Sequence, residues 1–140
     1  MSHNAWRNAR AMYEKDACAQ AYGIDIIEMN DGYAVLTMQV TPQMLNGHQS
    51  CHGGQLFTLA DTAFAYACNS QGLAAVASGC AIEFIRPAFA GDRLTATAQV
   101  RHQGKQTGVY DIEIVNQQLK TVAFFRGKSH RIGGTITGEA

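Results

Sequence analysis

The chain predicts an α+β domain in which an antiparallel sheet of five or six strands covers one long apolar helix, with a short helix at the N-terminus. Three observations carry this prediction. Residues 53–70 are apolar around most of a helical circumference, runs of period-two alternation lie on both sides of that stretch, and the connectors between those runs are short.

Residues 5–21 have helical composition (Ala5, Trp6, Ala9, Met12, Tyr13, Ala17, Ala21) and Gly23 supplies a stop, which predicts the short N-terminal helix. Ile24 to Met29 and Tyr33 to Val40 flank the turn signal Asn30-Asp31-Gly32, so they form a hairpin. Its inward residues are Ala34, Leu36, Met38 and Val40. After the central helix come four extended runs: Ala74 to Arg86, Asp92 to Gln103, Thr107 to Asn116 and Leu119 to Arg131. The alternation is cleanest where Leu94, Ala96, Ala98 and Val100 interleave with Thr95, Thr97 and Gln99, as in a sheet with one wet face. Connectors as short as Pro87 to Gly91 and His102 to Gln106 predict antiparallel neighbours. The tail after Gly133 is polar and is expected to fray.

With 140 residues the chain spans one domain, 1–140, large enough for a single core. A hydrophobic share of 46% and a formal net charge of zero argue against disorder and against a basic nucleic-acid surface. The opening residues lack the apolar run of a signal peptide, and no later run reaches the length of a membrane span, so the expected address is the cytoplasm, away from membranes. Cys18, Cys51, Cys68 and Cys80 are scattered, which reads as reduced thiols, with Cys68 and Cys80 as small core residues.

The chemistry concentrates in Asn46-Gly47-His48-Gln49-Ser50-Cys51-His52-Gly53-Gly54 and the helix that follows. Paired glycines let a ligand approach the backbone, and the first amides of a helix point unpaired N–H groups at a carbonyl oxygen or an anion. Asp61 falls between Phe57, Phe64, Ala65 and Cys68 rather than on the polar stripe of Gln55, Thr62, Tyr66 and Asn69, so it is desolvated or lines a cavity. Gly53 and Asp61 are eight residues apart, a rise of roughly 12 Å along one helix. If both act on one reacting atom, the carboxylate comes from a second subunit packed antiparallel, which implies an isologous dimer with two shared sites.

The N-G-H-x-x-x-H-G-G loop, the Asp eight residues after the first glycine of the pair, the preceding hairpin and the following meander with Ile82-Glu83-Phe84-Ile85-Arg86-Pro87 resemble the hotdog-fold acyl-coenzyme A thioesterases. The likeness runs over nearly the whole chain. It implies hydrolysis of aryl-acyl thioesters, with ring-hydroxylated phenylacetyl-coenzyme A of phenylacetate catabolism as the substrate type, by a homotetramer of two dimers. By position, Gly53 matches the glycine whose N–H polarises the thioester carbonyl, Asn46 the amide that supports it, and Asp61 the catalytic carboxylate given by the partner chain. Ser78 is the nearest match to a strand hydroxyl that orients water.

Hydrolysis builds negative charge on the carbonyl oxygen, which fixed amide dipoles stabilise in a pocket poor in water. Asp61 then either attacks the carbonyl or takes a proton from water; both need it ionised. Its apolar setting raises its pKa, while oxyanion donors and a loop histidine oppose that shift. His52 and His48 brace the loop, with His52 and Gly54 bordering the substrate. Neither a metal site nor a Cys51 nucleophile is expected, because the carboxylate is more than two turns away and nothing orients a loop imidazole; no cofactor is implied. Arg86, Arg126, Lys128 and Arg131 are the basic candidates for the coenzyme A phosphates. Phe57, Phe64 and Tyr66 are candidates for an apolar slot. Rival readings are a hotdog dehydratase or hydratase working on the β-carbon, and a non-catalytic acyl-thioester binding module. The solitary Asp beside a glycine pair favours hydrolysis over both.

Overall fold

A computed structural model describes residues 3–138. Two helices open the chain, α1 (His3–Tyr13) and α2 (Ala17–Ala21), where the sequence predicts one. The break falls at residues 14–16 because Asp16 caps α2: its carboxylate accepts the Ala19 N–H at 3.0 Å. Six strands follow around the central helix α3 (Gly53–Cys68): β1 (Asp25–Asn30), β2 (Tyr33–Gln39), β3 (Leu73–Phe84), β4 (Arg93–Gln103), β5 (Thr107–Val115) and β6 (Thr121–Thr135). They form one antiparallel sheet in the order β1-β2-β4-β5-β6-β3.

The hairpin is as predicted, closing on Asn30 opposite Tyr33. Gly32 has φ +67, and a Cβ there would stand 2.6 Å from a Val100 methyl, so both turn geometry and packing demand glycine. Ala34, Leu36, Met38, Leu94, Ala96, Ala98, Ile112, Ile114 and Ala123 face α3 and are buried, as the alternation requires. Leu59, Ala60, Ala63 and Phe64 meet them from the helix. Phe64 packs between Tyr110 and Phe125, with ring centroids 5.7 and 6.0 Å away. At Gly127 of β6 a Cβ would come 2.6 Å from the Phe64 ring, so the missing side chain lets the sheet close on the helix. A methyl there would cost about 1–3 kcal/mol of overpacking.

Two sequence expectations fail on sheet order. Residues 85–92 connect β3 to β4, yet these strands are not neighbours: β3 pairs with β6 at the far edge, while β4 lies between β2 and β5. The connector crosses three strand spacings of about 4.8 Å, a span that eight extended residues cover with ease. Connector length therefore reports reach rather than adjacency. At that edge Cys80 is exposed and is not a core residue.

Smaller differences lie at the ends. Leu119 belongs to the β5–β6 turn, with φ +63, where Asn116 Oδ1 accepts the Gln118 and Lys120 N–H groups. The tail is ordered further than expected, since β6 runs to Thr135 and the Ile136 N–H donates to the Gly72 carbonyl at 2.8 Å.

Candidate active site

The loop before α3 is held at both ends. Cys51 N–H donates to the Ala88 carbonyl and His52 N–H to the Met44 carbonyl, both at 2.7 Å. Within it, Asn46 Oδ1 accepts the His48 N–H at 2.9 Å and the Ser50 N–H at 3.3 Å. The carboxamide oxygen thus shapes the loop, and the Asn46 amino group has no partner among the described residues.

His52 caps α3. Its Nδ1 accepts the Gly54 N–H at 3.0 Å, and its carbonyl accepts the Gln55 and Leu56 N–H groups at 2.9 and 3.2 Å. Of the four amides that a helix start leaves without intrahelical partners, the His52 N–H goes to Met44 and those of Gly54 and Gln55 go to His52 itself. The fourth, the Gly53 N–H, has no acceptor among the described residues. It stands at the positive end of a sixteen-residue helix and borders a cavity of about 370 Å³, lined also by Asn46, Ser50, Leu56, Phe84 and Pro87. Gly54, expected to border the substrate, has its N–H committed to His52. Cys51 also lines this cavity, but burial and the nearby Asp92 push its thiol up to about 11, which leaves it protonated and unreactive.

Asp61 lies two turns further along on the helix face of Phe57, Thr58, Asp61, Thr62 and Ala65, which the protomer covers only partly. Burial pushes its carboxyl above the usual range. Within its own chain the loop stands roughly 12 Å back along the helix, so burial is the influence that acts on this carboxyl. Thr58 and Thr62 turn their hydroxyls to the Gly54 and Thr58 carbonyls, so they do not serve the carboxylate. Two thiols feel its charge: burial and then Asp61 push up both Cys68, to about 12, and Cys80. Cys80 reaches this position from β3, which the sequence reading missed by placing it in the core.

The remaining candidates separate by location. Phe57 is partly buried and meets Phe125 edge-on at 5.2 Å. Phe64 and Tyr66 are fully buried, and the Tyr66 hydroxyl donates to Asp16, so neither lines a slot. Ser78 stands at a bulge on β3 and its hydroxyl donates to the Lys128 carbonyl at 3.2 Å. Arg126 and Lys128 alternate with inward-facing Gly127 and are exposed on the outer sheet face. Arg126 holds Asp111 through two bonds of 2.6 and 2.8 Å, while Lys128 has no ion-pair partner among the described residues. Arg131 is a structural residue: its guanidinium donates to the Gly104 and Lys105 carbonyls and to Gln71. Arg86 donates to the Thr121 carbonyl and borders the Gly53 cavity. The structure thus joins Asn46, His52, Gly53 and Gly54, leaves Asp61 of the same chain apart from them, and puts Arg126 and Lys128 on the outer face. Phe84, against Gly53, belongs to the site as well; its alternation with Ile82 was the signal that could have placed it there.

Comparison with known proteins agrees with this geometry. Residues 48–123 match the thioesterase superfamily. The chain is 84% identical over 140 residues to the acyl-coenzyme A thioesterase PaaI of Escherichia coli, with both chains covered in full. Its structure superposes on that of the E. coli PaaI protein from the phenylacetic acid degradation operon with a TM-score of 0.95, covering 96% of this chain and 97% of the other at 84% identity. A hypothetical thioesterase from Streptococcus pneumoniae, solved with coenzyme A, superposes with a TM-score of 0.82 at 32% identity, covering 87% of this chain and 95% of that one. The chain belongs to the thioesterase superfamily and has its hotdog fold.

Proposed function

We propose that this thioesterase hydrolyses aryl-acyl thioesters of coenzyme A, ring-hydroxylated phenylacetyl-coenzyme A foremost, to the free acid and coenzyme A in phenylacetate catabolism. The observation that carries the mechanism is the Gly53 N–H at the start of α3, which has no acceptor among the described residues and belongs to the lining of a cavity. A carbonyl oxygen that accepts from it gains more as its negative charge grows, so the transition state is stabilised beyond the ground state. The Asn46 amino group supports the same oxygen or the loop that carries Gly53.

Asp61 acts from the partner subunit, since a continuous helix holds it about 12 Å from Gly53 of its own chain. Ionised, it either adds to the carbonyl and expels coenzyme A thiolate, leaving an anhydride that water opens, or takes a proton from the water that attacks. Desolvation strengthens it in both roles. Ser78 orients the water, His52 and Gly54 hold the loop against the substrate, and Phe57 lines its path. The β3 edge supports the dimer: twelve residues with one charged side chain, Glu83, leave an apolar strand edge without a partner. Two such dimers form the tetramer. On the outer face Lys128 and Arg126 meet the coenzyme A phosphates, and the protein works in the cytoplasm as one domain.

The test is thiol release from a panel of aryl-acyl, alkyl-acyl and 2-enoyl coenzyme A thioesters. Release that is fastest with hydroxyphenylacetyl-coenzyme A supports the reading. Hydration of the enoyl thioester without thiol release would make the protein a hydratase, and binding without turnover a scaffold.

A further inference from the structure

Phe84, the last residue of β3, and Ile85 after it are 54% and 52% exposed, a concentration of apolar surface beside the candidate site. Phe84 lies opposite the buried Ala123 and faces inward, where its ring packs against Gly53: a Cβ on that glycine would be 3.1 Å from Cζ. The same glycine carries the one unpaired N–H of the helix start. A thioester whose oxygen accepts from this N–H at about 2.9 Å brings its acyl chain beside the Phe84 ring. In an arylacetyl group the aromatic ring begins only two bonds of about 1.5 Å beyond the carbonyl carbon. The cavity, about 370 Å³, has room for it, since about 150 Å³ suffices for benzene.

We propose that Phe84 is a specificity-determining residue of this thioesterase, its ring stacking edge-on or offset on the aromatic ring of the acyl group and so selecting aryl-acyl over alkyl-acyl thioesters. This rests on the aryl-acyl reading above. The tip of the Phe84 ring is braced by Gly53, and its own chain leaves about half of the residue uncovered beside the cavity, so a second ring meets a surface already in place. An alkyl group of equal size gains area burial alone. The aromatic pair adds a factor of about two to ten in kcat/KM.

The experiment compares phenylacetyl-coenzyme A with cyclohexylacetyl-coenzyme A, alike in size and different in aromaticity, on wild type, Phe84→Leu and Phe84→Tyr, with assembly followed by sedimentation. Phe84→Leu should lower the aryl-to-cyclohexyl ratio of kcat/KM by about two- to tenfold, whatever the change common to both thioesters, while Phe84→Tyr keeps the wild-type ratio. An unchanged ratio in Phe84→Leu, or an equal loss on both thioesters with or without dissociation, overturns the proposal. Phe84→Met is read the same way should the leucine variant not fold. Wild type inactive on phenylacetyl-coenzyme A refutes the aryl-acyl reading and this inference with it; wild type active on it with a ratio indifferent to Phe84 refutes the inference alone.

Discussion

Nδ1 of His52 accepts the N–H of Gly54 at 3.0 Å, so the residue between them, Gly53, is left with the free amide. Accepting at Nδ1 puts the ring proton of the neutral imidazole on Nε2, and the ring acts as a helix cap. The pairing leaves Gly53 as the backbone donor at the helix start that a substrate oxygen can reach.

His52→Ala should therefore lower stability by about 0.5–2 kcal/mol, the usual cost of a lost N-cap, and His52→Asn should restore most of it. Turnover of folded His52→Ala is expected to fall less than tenfold. Calorimetry and steady-state kinetics on both variants decide the matter: a loss of about 100-fold or more, shared by alanine and asparagine, would mean that the imidazole transfers a proton.

Asn46 presents two ends with separate duties. Its Oδ1 orders the loop through the His48 and Ser50 amides, whereas its amino group has no partner among the described residues. Asn46→Asp keeps the acceptor and removes the donor. Turnover should fall about 10- to 1000-fold with the melting temperature nearly unchanged if the amino group supports the oxyanion. Normal turnover with a lowered melting temperature in Asn46→Ala would leave the residue only its structural duty.

What could be read from the chain beforehand divides along a physical line. Patterns that depend on neighbours in sequence were legible: the Asn30-Asp31-Gly32 hairpin and the apolar helix after Gly53-Gly54. Strand order was not, because alternation tells which face a residue takes and says nothing of which strand lies beside it. Connector length alone puts β3 beside β4 and apolar neighbours put Cys80 in the core, whereas the sheet sets β3 at the far edge with Cys80 exposed. The commitment of the Gly54 N–H to His52 depends on a side-chain rotamer, and the stapling of Arg131 to Gly104 and Lys105 on a contact across the sheet; neither leaves a trace in local composition. Phe84 was within reach, since its alternation with Ile82 assigns it the inner face.

Asp61→Asn, nearly isosteric, is expected to keep fold and assembly while turnover drops roughly two to four orders of magnitude. The same variant should be more stable than wild type at neutral pH. Burial raises the folded pKa of Asp61 above its unfolded value of about 3.9. Below that value both states are protonated and nothing is lost; as pH rises through the folded pKa, the folded protein must carry a desolvated charge and stability falls. Asparagine escapes this, so the gap in melting temperature should open from acid to neutral pH. A variant less stable than wild type at pH 7 would show that the ionised carboxylate is stabilised by a partner. In wild type, the acid limb of kcat/KM should lie above the ordinary Asp range.

The shared site can be tested by complementation. Gly53→Pro removes the donor N–H at the first helical position, where proline is tolerated, and the preceding His52 already has ψ 136, the extended geometry that proline requires of its neighbour. The nearest atoms to the added Cβ are those of the Phe84 ring, at 3.1 Å. Gly53→Pro and Asp61→Asn should each be nearly inactive as pure, folded proteins. Mixed by co-refolding, about half of the dimers pair one chain of each kind, and in each of these one site receives an intact glycine from the Asp61→Asn chain and an intact carboxylate from the Gly53→Pro chain. The other site collects both defects. Roughly a quarter of wild-type activity should return if sites act independently. Verified heterodimers that remain as inactive as their parents would place Gly53 and Asp61 in separate duties and end the shared-site mechanism for this protein.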